Sequence, residues 1–306
     1  MGSFILRRLA YAILSLALLS VTIFFFVRVT GDPAALLAGA DASAEQIERL
    51  RQEFGLDRSI PVQLVSFLFD LVRGDLGRSL FYNIPVSELI MARLPATLTI
   101  CAATFALSVA VGVPTGIWTA INPDGWLDRA ARAIAMFGMA LPSFWAGLIL
   151  ILVFSVNLNW LPAGSGRGFS SVILPAVALS GYFIASNFRI TRSAMLDVLN
   201  TEFITLTRAK GLAERRIILM HALRSSLIPI VTLSGINLAL LINSSVAVET
   251  VFGWPGIGTL LFDSIAMRDF PMAQGIVVVI GVFIILCNFV IDVLYAYIDP
   301  RIRLAA

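Results

Sequence analysis

The sequence predicts an all-α integral membrane protein with six transmembrane helices. Three observations predict it. Hydrophobic residues make up 58% of the 306 and charged residues only 13%, whereas soluble domains average roughly 45–50% apolar and about 25% charged. Mean hydropathy is +0.91. The apolar residues gather into runs of about 20, the length a helix needs to cross the hydrocarbon core. The pI near 9.2 rests on a formal surplus of only +3. A membrane protein acquires such a surplus by keeping arginines at its cytoplasmic face, so no nucleic-acid partner is implied.

The first span is Leu9–Val29, preceded by Arg7 and Arg8. Its apolar core runs from Leu9 to Val27, longer than the roughly 7–15 residues of a cleavable signal, and no small-x-small cleavage site follows. It reads as a retained span. Five more runs qualify: Ala96–Ile121, Ala133–Val156, Ile173–Thr191, Leu227–Val248 and Gly275–Ile298. Pro114, between Gly112 and Gly116, predicts a kink in the second by removing a backbone donor. Cys101 and Cys287 both fall in apolar segments and read as small buried hydrophobes.

Orientation follows from the short loops. With the amino terminus cytoplasmic, that side holds Arg7, Arg8, Arg129, Arg132, seven basic residues between Arg189 and Arg224, Arg301 and Arg303, thirteen in all. The opposite short segments hold Arg28, Arg167 and Arg268. This asymmetry places the N and C termini in the cytoplasm. The chain then divides into residues 1–30 (N-terminus and first span), 31–95 (an extracytoplasmic helical cap) and 96–306 (a five-helix core with a cytoplasmic element at 193–226). In the cap, Ser43 and Gln46 have capping-box spacing, Ile47, Leu50 and Phe54 make an apolar stripe, and Gly55 can stop the helix. A second short helix covers Pro61–Val72.

The cytoplasmic element is the most informative. Asn200 or Thr201 can cap a helix on which Phe203, Leu206 and Lys210, the chain's sole lysine, recur at helical spacing. Gly211 is placed to end it in a left-handed conformation, with Leu212 as the accompanying apolar contact. A second helix restarts at Ala213 or Glu214. A topology anchor needs only charge near a span, so a capped and punctuated helix calls for more. His221, the sole histidine, reads as a solvated or interfacial residue.

The run "RAKGLAERRIILMHALRSSLIPIVT" resembles the cytoplasmic signature of ATP-binding-cassette importer permeases of the dipeptide, oligopeptide, glutathione and nickel branch. The resemblance covers essentially the whole chain through "GDPAALLAG", "RGDLGRSL", "LPSFWAGL", "ILPAVAL", "VETVFGWPGIG", "RDFPMAQG" and "IDPRIR". It implies a type I importer permease architecture in a bacterial inner membrane. The implied partners are a second homologous permease subunit, two cytoplasmic ATP-binding subunits, an extracytoplasmic substrate-binding protein and membrane lipid. It implies a coupling helix docked on the ATPase, assigned here to Thr201, Glu202, Thr205, Leu206, Thr207, Arg208, Ala209, Lys210 and Gly211. Thr205, Leu206 and Thr207 occupy the Glu-Ala-Ala end of the family motif, yet neither the acid nor either alanine is present. Thr207, larger and polar, bears on the fit to the ATPase groove.

Nucleotide chemistry falls to the partners, because the chain has no G-x-x-x-x-G-K-[ST] loop. No catalytic residue, resident metal or cofactor is expected, ATP and magnesium residing on the ATPase subunits. Glu249, Phe252, Trp254, Pro255 and Gly256 form a turn or re-entrant hairpin, read either as a gate or binding-protein contact or as a structural turn. Asn187, Asn237, Asn243 and Ser244 line a polar path or tie helices together. Asp292, an acid within the sixth span, reads as an ion pair or hydrogen bond to a neighbouring helix. An ion-coupled secondary transporter would place acids or broken half-helices near the midplane. An intramembrane enzyme would need paired catalytic residues in the spans, which the sequence lacks. Small peptides are the expected cargo, with glutathione or nickel carried by the same machinery as the alternative.

Overall fold

Apolar runs of this length form helices because only helices satisfy every backbone donor and acceptor within one segment in lipid. The computed structural model describes residues 2–29, 34, 43–53, 55–164 and 168–298. Its helices are α1 (Gly2–Val29), α2 (Ala44–Glu53), α3 (Ile60–Val72), α4 (Val86–Ile121), α5 (Trp126–Ala140), α6 (Ser143–Asn157), α7 (Ser170–Leu199), α8 (Glu202–Ala209), α9 (Glu214–Val251), α10 (Ile257–Ala266) and α11 (Phe270–Ile298). Within α1, α4, α7, α9 and α11 lie five stretches long and apolar enough to cross a membrane. The pair α5–α6 makes a sixth when counted as one span.

That pair departs from the expected third span. Its halves meet at 103°. The cause is local: a residue before proline is driven out of the α region, and Leu141 accordingly sits at φ −80°, ψ 120°. Helix α5 therefore stops at Ala140 and α6 restarts after Pro142. The second span differs in length, because α4 starts at Val86 and runs for 36 residues.

The chain divides by its contacts into two units. One comprises Met1–Ala96 with Pro255–Phe289. In it the capping box forms as expected: Ser43 N–H donates to Gln46 Oε1 at 2.9 Å and Gln46 N–H to Ser43 Oγ at 3.3 Å. Gly55 follows α2 at φ +62°. The side chains of Leu50 and Phe54 lie outside the described residues. Phe24 of α1 is buried against Phe67 of α3, ring centroids 5.7 Å apart.

The same unit holds a buried carboxylate. Asp269, directly ahead of α11, is 2% exposed. Its Oδ1 accepts the N–H groups of Leu80 at 3.2 Å and Met272 at 3.3 Å; its Oδ2 accepts the Phe81 N–H at 3.3 Å and the Ser79 hydroxyl. One side chain thus caps α11 and fastens the 79–81 turn.

The other unit comprises Thr97–Trp254 with Val290–Ala306. Helix α7 is its most buried apolar helix. Small residues let neighbours approach it backbone to backbone. A Cβ on Gly112 would lie 2.7 Å from the Ile184 carbonyl oxygen, and one on Gly116 2.8 Å from that of Phe188. A Cβ on Gly138 of α5 would meet the Gly181 carbonyl at 2.9 Å. The glycines flanking Pro114 therefore serve close packing of α4 on α7. At one end of α7, Arg192 grips the fully buried Asp128 of α5 through two hydrogen bonds of 2.8 and 2.9 Å, and Arg132 adds a 3.1 Å contact.

Candidate functional site: a two-faced helix between α7 and α9

The element between α7 and α9 folds much as its sequence dictates. Thr201 is extended at φ −78°, ψ 151° and starts α8, although its hydroxyl turns back to the Val198 carbonyl at 2.7 Å. Glu202 in the first turn and Arg208 in the last complement the helix dipole. Lys210 closes the helix and Gly211 adopts φ +76°. A side chain at Gly211 would meet nothing within 4 Å, so its cost is backbone strain alone. Gly211→Ala should therefore cost about 1 kcal/mol and Gly211→Asn less, asparagine being the residue that tolerates this region best after glycine. Melting of the two purified variants checks the order.

Helix α8 has two faces. Ile204 is fully buried and Thr207 is 6% exposed. Ile204 joins Ala120, Met195, Ile217 and Ala222 in one cluster, against which Leu212 also packs. The Thr207 hydroxyl donates to the Phe203 carbonyl at 2.7 Å. Ile204 fixes the helix to the ends of α4, α7 and α9, and Thr207, buried with its hydroxyl turned back into α8, does not contribute to the outer surface. Phe203 (52% exposed) and Leu206 (62%) point outwards with Glu202, Thr205, Ala209 and Lys210.

Beyond Gly211 the chain is tied back. Arg208 reaches across the turn to Glu214 with contacts of 2.6 and 3.2 Å. These hydrogen bonds push the Arg208 guanidinium further above its ordinary value. Both groups are about half exposed, so the pair contributes little to stability, about 0–1 kcal/mol. The first turns of α9 widen into a π-helix over Ile217–Ala222. This places the His221 ring 5.9 Å from Phe203, edge to face. Phe203, Arg216, Met220, His221 and Arg224 then line a small cavity of about 310 Å³ beside the outer face of α8.

The other expected residues are placed elsewhere. Glu249 is fully buried and accepts the Ser245 hydroxyl at 3.0 Å. Phe252 is buried on Gly147, and Gly253 turns the chain at φ +56°. The Trp254 N–H closes the turn on the Glu249 carbonyl at 2.8 Å. Trp254 and Gly256 are buried and Pro255 is exposed. Asn187 donates to Ser108 Oγ at 3.2 Å and accepts from Ser234 at 3.0 Å and Asn237 at 3.4 Å. Asn187 and Asn237 are thus buried ties joining α4, α7 and α9. Asn243 is exposed, and Ser244 lines a cavity of about 370 Å³ between α5, α6 and α7. The side chain of Asp292 lies outside the described residues. Sequence reading missed Asp269 and the Asp128–Arg192 pair.

Comparison with known proteins agrees with this architecture. The chain is 40% identical over 304 residues, 99% of both chains, to the glutathione transport system permease protein GsiC of Escherichia coli O6:H1. It is 38% identical over 312 residues, 99% of both, to a Brucella abortus protein named as a peptide transport system permease. Its fold resembles that of a solved structure of inward-facing conformations of the MetNI methionine ABC transporter. That match has a TM-score of 0.60 and 19% identity, and covers 70% of this chain and 97% of that one. Residues 1–101 match the N-terminal model of binding-protein-dependent transport system membrane components. Residues 112–304 match the family model itself, and the chain therefore belongs to the binding-protein-dependent transport system inner membrane components, multi-pass proteins of the inner membrane.

Proposed function

We propose that this chain forms half of the translocation path of an ATP-driven importer of small peptides, glutathione, itself a tripeptide, included. A second, similar permease subunit supplies the other half. Two cytoplasmic ATPase subunits, which hold the ATP and magnesium, drive the pair, and an extracytoplasmic binding protein delivers the cargo. The N and C termini and α8 lie on the cytoplasmic side. The observation that carries this reading is the two-faced α8. Ile204 is locked into the ends of three long helices and Thr207 is buried, while Phe203 and Leu206 are exposed. An exposed aromatic and leucine on a projecting helix suit an amphipathic helix laid in a partner's groove.

Mechanistically, ATP binding closes the ATPase pair, and α8 carries that movement through its buried anchor into α7 and α9. Reversing an inward–outward equilibrium from 1:99 to 99:1 requires about 5.5 kcal/mol of differential binding. Two ATP sites acting together can supply that.

The test is co-purification of the native chain and of Phe203→Asp and Leu206→Asp with the candidate ATPase subunits. A carboxylate buried at the docking face should lower ATPase association by about a hundredfold, or about 2.8 kcal/mol, while membrane insertion is kept. Association that ignores both changes would sink the assignment of α8.

A further inference from the structure

A second feature concerns the cargo and rests on the functional reading above. Helix α7 carries an arginine, Arg189, at the end of its span, two residues before Thr191, and its side chain is exposed. An arginine at the end of a span reaches a partner, the interface or a watery cavity. Arg189 faces a cavity of about 680 Å³ between α5, α7 and α9. That volume is within the usual range of small-molecule sites.

The charges around this cavity leave one guanidinium over. Arg132 and Arg192 also line it, but both are engaged by the buried Asp128. Asp197 lies on the wall two turns away along α7, and among the described residues no acid pairs with Arg189. Among the described residues its one hydrogen-bond contact is the Met139 sulfur at 3.2 Å, a weak acceptor. Ser186 and Ser193 line the same cavity. At three residues before and four after Arg189 they share its helix face. Met136 and Met139 form the facing wall. A fork of guanidinium donors suits a carboxylate, hydroxyls complete its hydrogen bonds, and methionines adapt to side chains of different shape.

We propose that Arg189, with Ser186 and Ser193, binds the carboxylate of the transported peptide, while Met136 and Met139 accept its variable side chains. The site reads the feature that all free peptides share and is tolerant of the rest.

The experiment uses the assembled transporter with its ATPase subunits and binding protein in vesicles. The probes are dialanine, tetraalanine and glutathione, each as free acid and as the carboxamide at the C-terminal residue. Uptake is measured for the native chain, Arg189→Gln and Arg189→Lys. The binding protein's own preference is common to all three and cancels in the ratio. The acid-over-amide preference should fall at least about tenfold in Arg189→Gln, the size expected for one charged hydrogen-bonding partner. Arg189→Lys, which keeps the charge but not the fork, should retain part of it. A preference unchanged in Arg189→Gln overturns the proposal. So does a defect that follows the phosphatidylglycerol content of the vesicles and not the probe's carboxylate, which would make this a lipid-headgroup site. No uptake of any probe by the native assembly would instead overturn the functional reading, and this inference with it.

Discussion

Replacing Asp269 by alanine should lower stability by about 3 kcal/mol, because a buried N–H and a buried hydroxyl lose their acceptor together with two part-buried N–H groups. The carboxylate is 2% exposed and accepts three backbone N–H groups and one hydroxyl. Alanine leaves the buried Met272 N–H and Ser79 hydroxyl without this acceptor, and also removes the cap of α11, itself worth about 1 kcal/mol. Asparagine should do almost as badly. Each carboxylate oxygen receives at least one backbone N–H, so whichever position the amide nitrogen takes, it faces a donor. The Ser79 hydroxyl can turn to accept, but a peptide N–H cannot. Melting in detergent should fall by about 5 °C or more for both variants. A shift under about 2 °C in both would show that the four contacts do not act as described.

The second large effect is expected at Arg192. Asp128 has no exposed side-chain surface, and Arg192 supplies two of its hydrogen bonds. Breaking a buried pair by removing one partner strands the other charge, at a cost of about 3–5 kcal/mol. Arg132 at 3.1 Å and the Asp124 N–H at 3.1 Å remain, so Arg192→Met should lie near the lower end of that range. Removing the charge as well, in Asp128→Asn with Arg192→Met, should recover much of the loss, because the double change leaves no buried ion to compensate. A double variant as unstable as the sum of the two single ones would mean the residues do not act as a pair.

Neither carboxylate was legible as a site in the sequence, for a common reason. Asp269 meets Ser79 across 190 positions and Asp128 meets Arg192 across 64, and nothing in local periodicity links such residues. A partial signal existed at Asp269, since aspartate followed within two residues by proline is a helix-start pattern. The features that could be read were local. Ser43 and Gln46 are three residues apart and satisfy each other. Gly211 takes the left-handed conformation its place after a helix requires. The inward turn of Thr207 could not be read, because which face of an eight-residue helix is buried depends on Ile217, Met195 and Ala120, far off in sequence. The asparagines illustrate the same limit. Composition admits both a polar path and interhelical ties, and only the meeting of Asn187 with Ser108, Ser234 and Asn237 distinguishes them. The bend at Pro142 was written plainly in the chain, yet it lay inside an apolar run whose hydropathy dominated the reading.

That bend also governs parity. The 15 residues of α5 and the 8 and 7 residues that make up α6 give two rods of about 22 Å each, both shorter than the roughly 30 Å hydrocarbon core. Neither rod can traverse the bilayer alone; they count as one crossing or as none. One crossing gives an even number and leaves both ends of the polypeptide in the same compartment, and none gives an odd number and parts them. The sidedness of every loop after Pro142, the projecting helix included, therefore turns on how one leucine–proline peptide directs the chain.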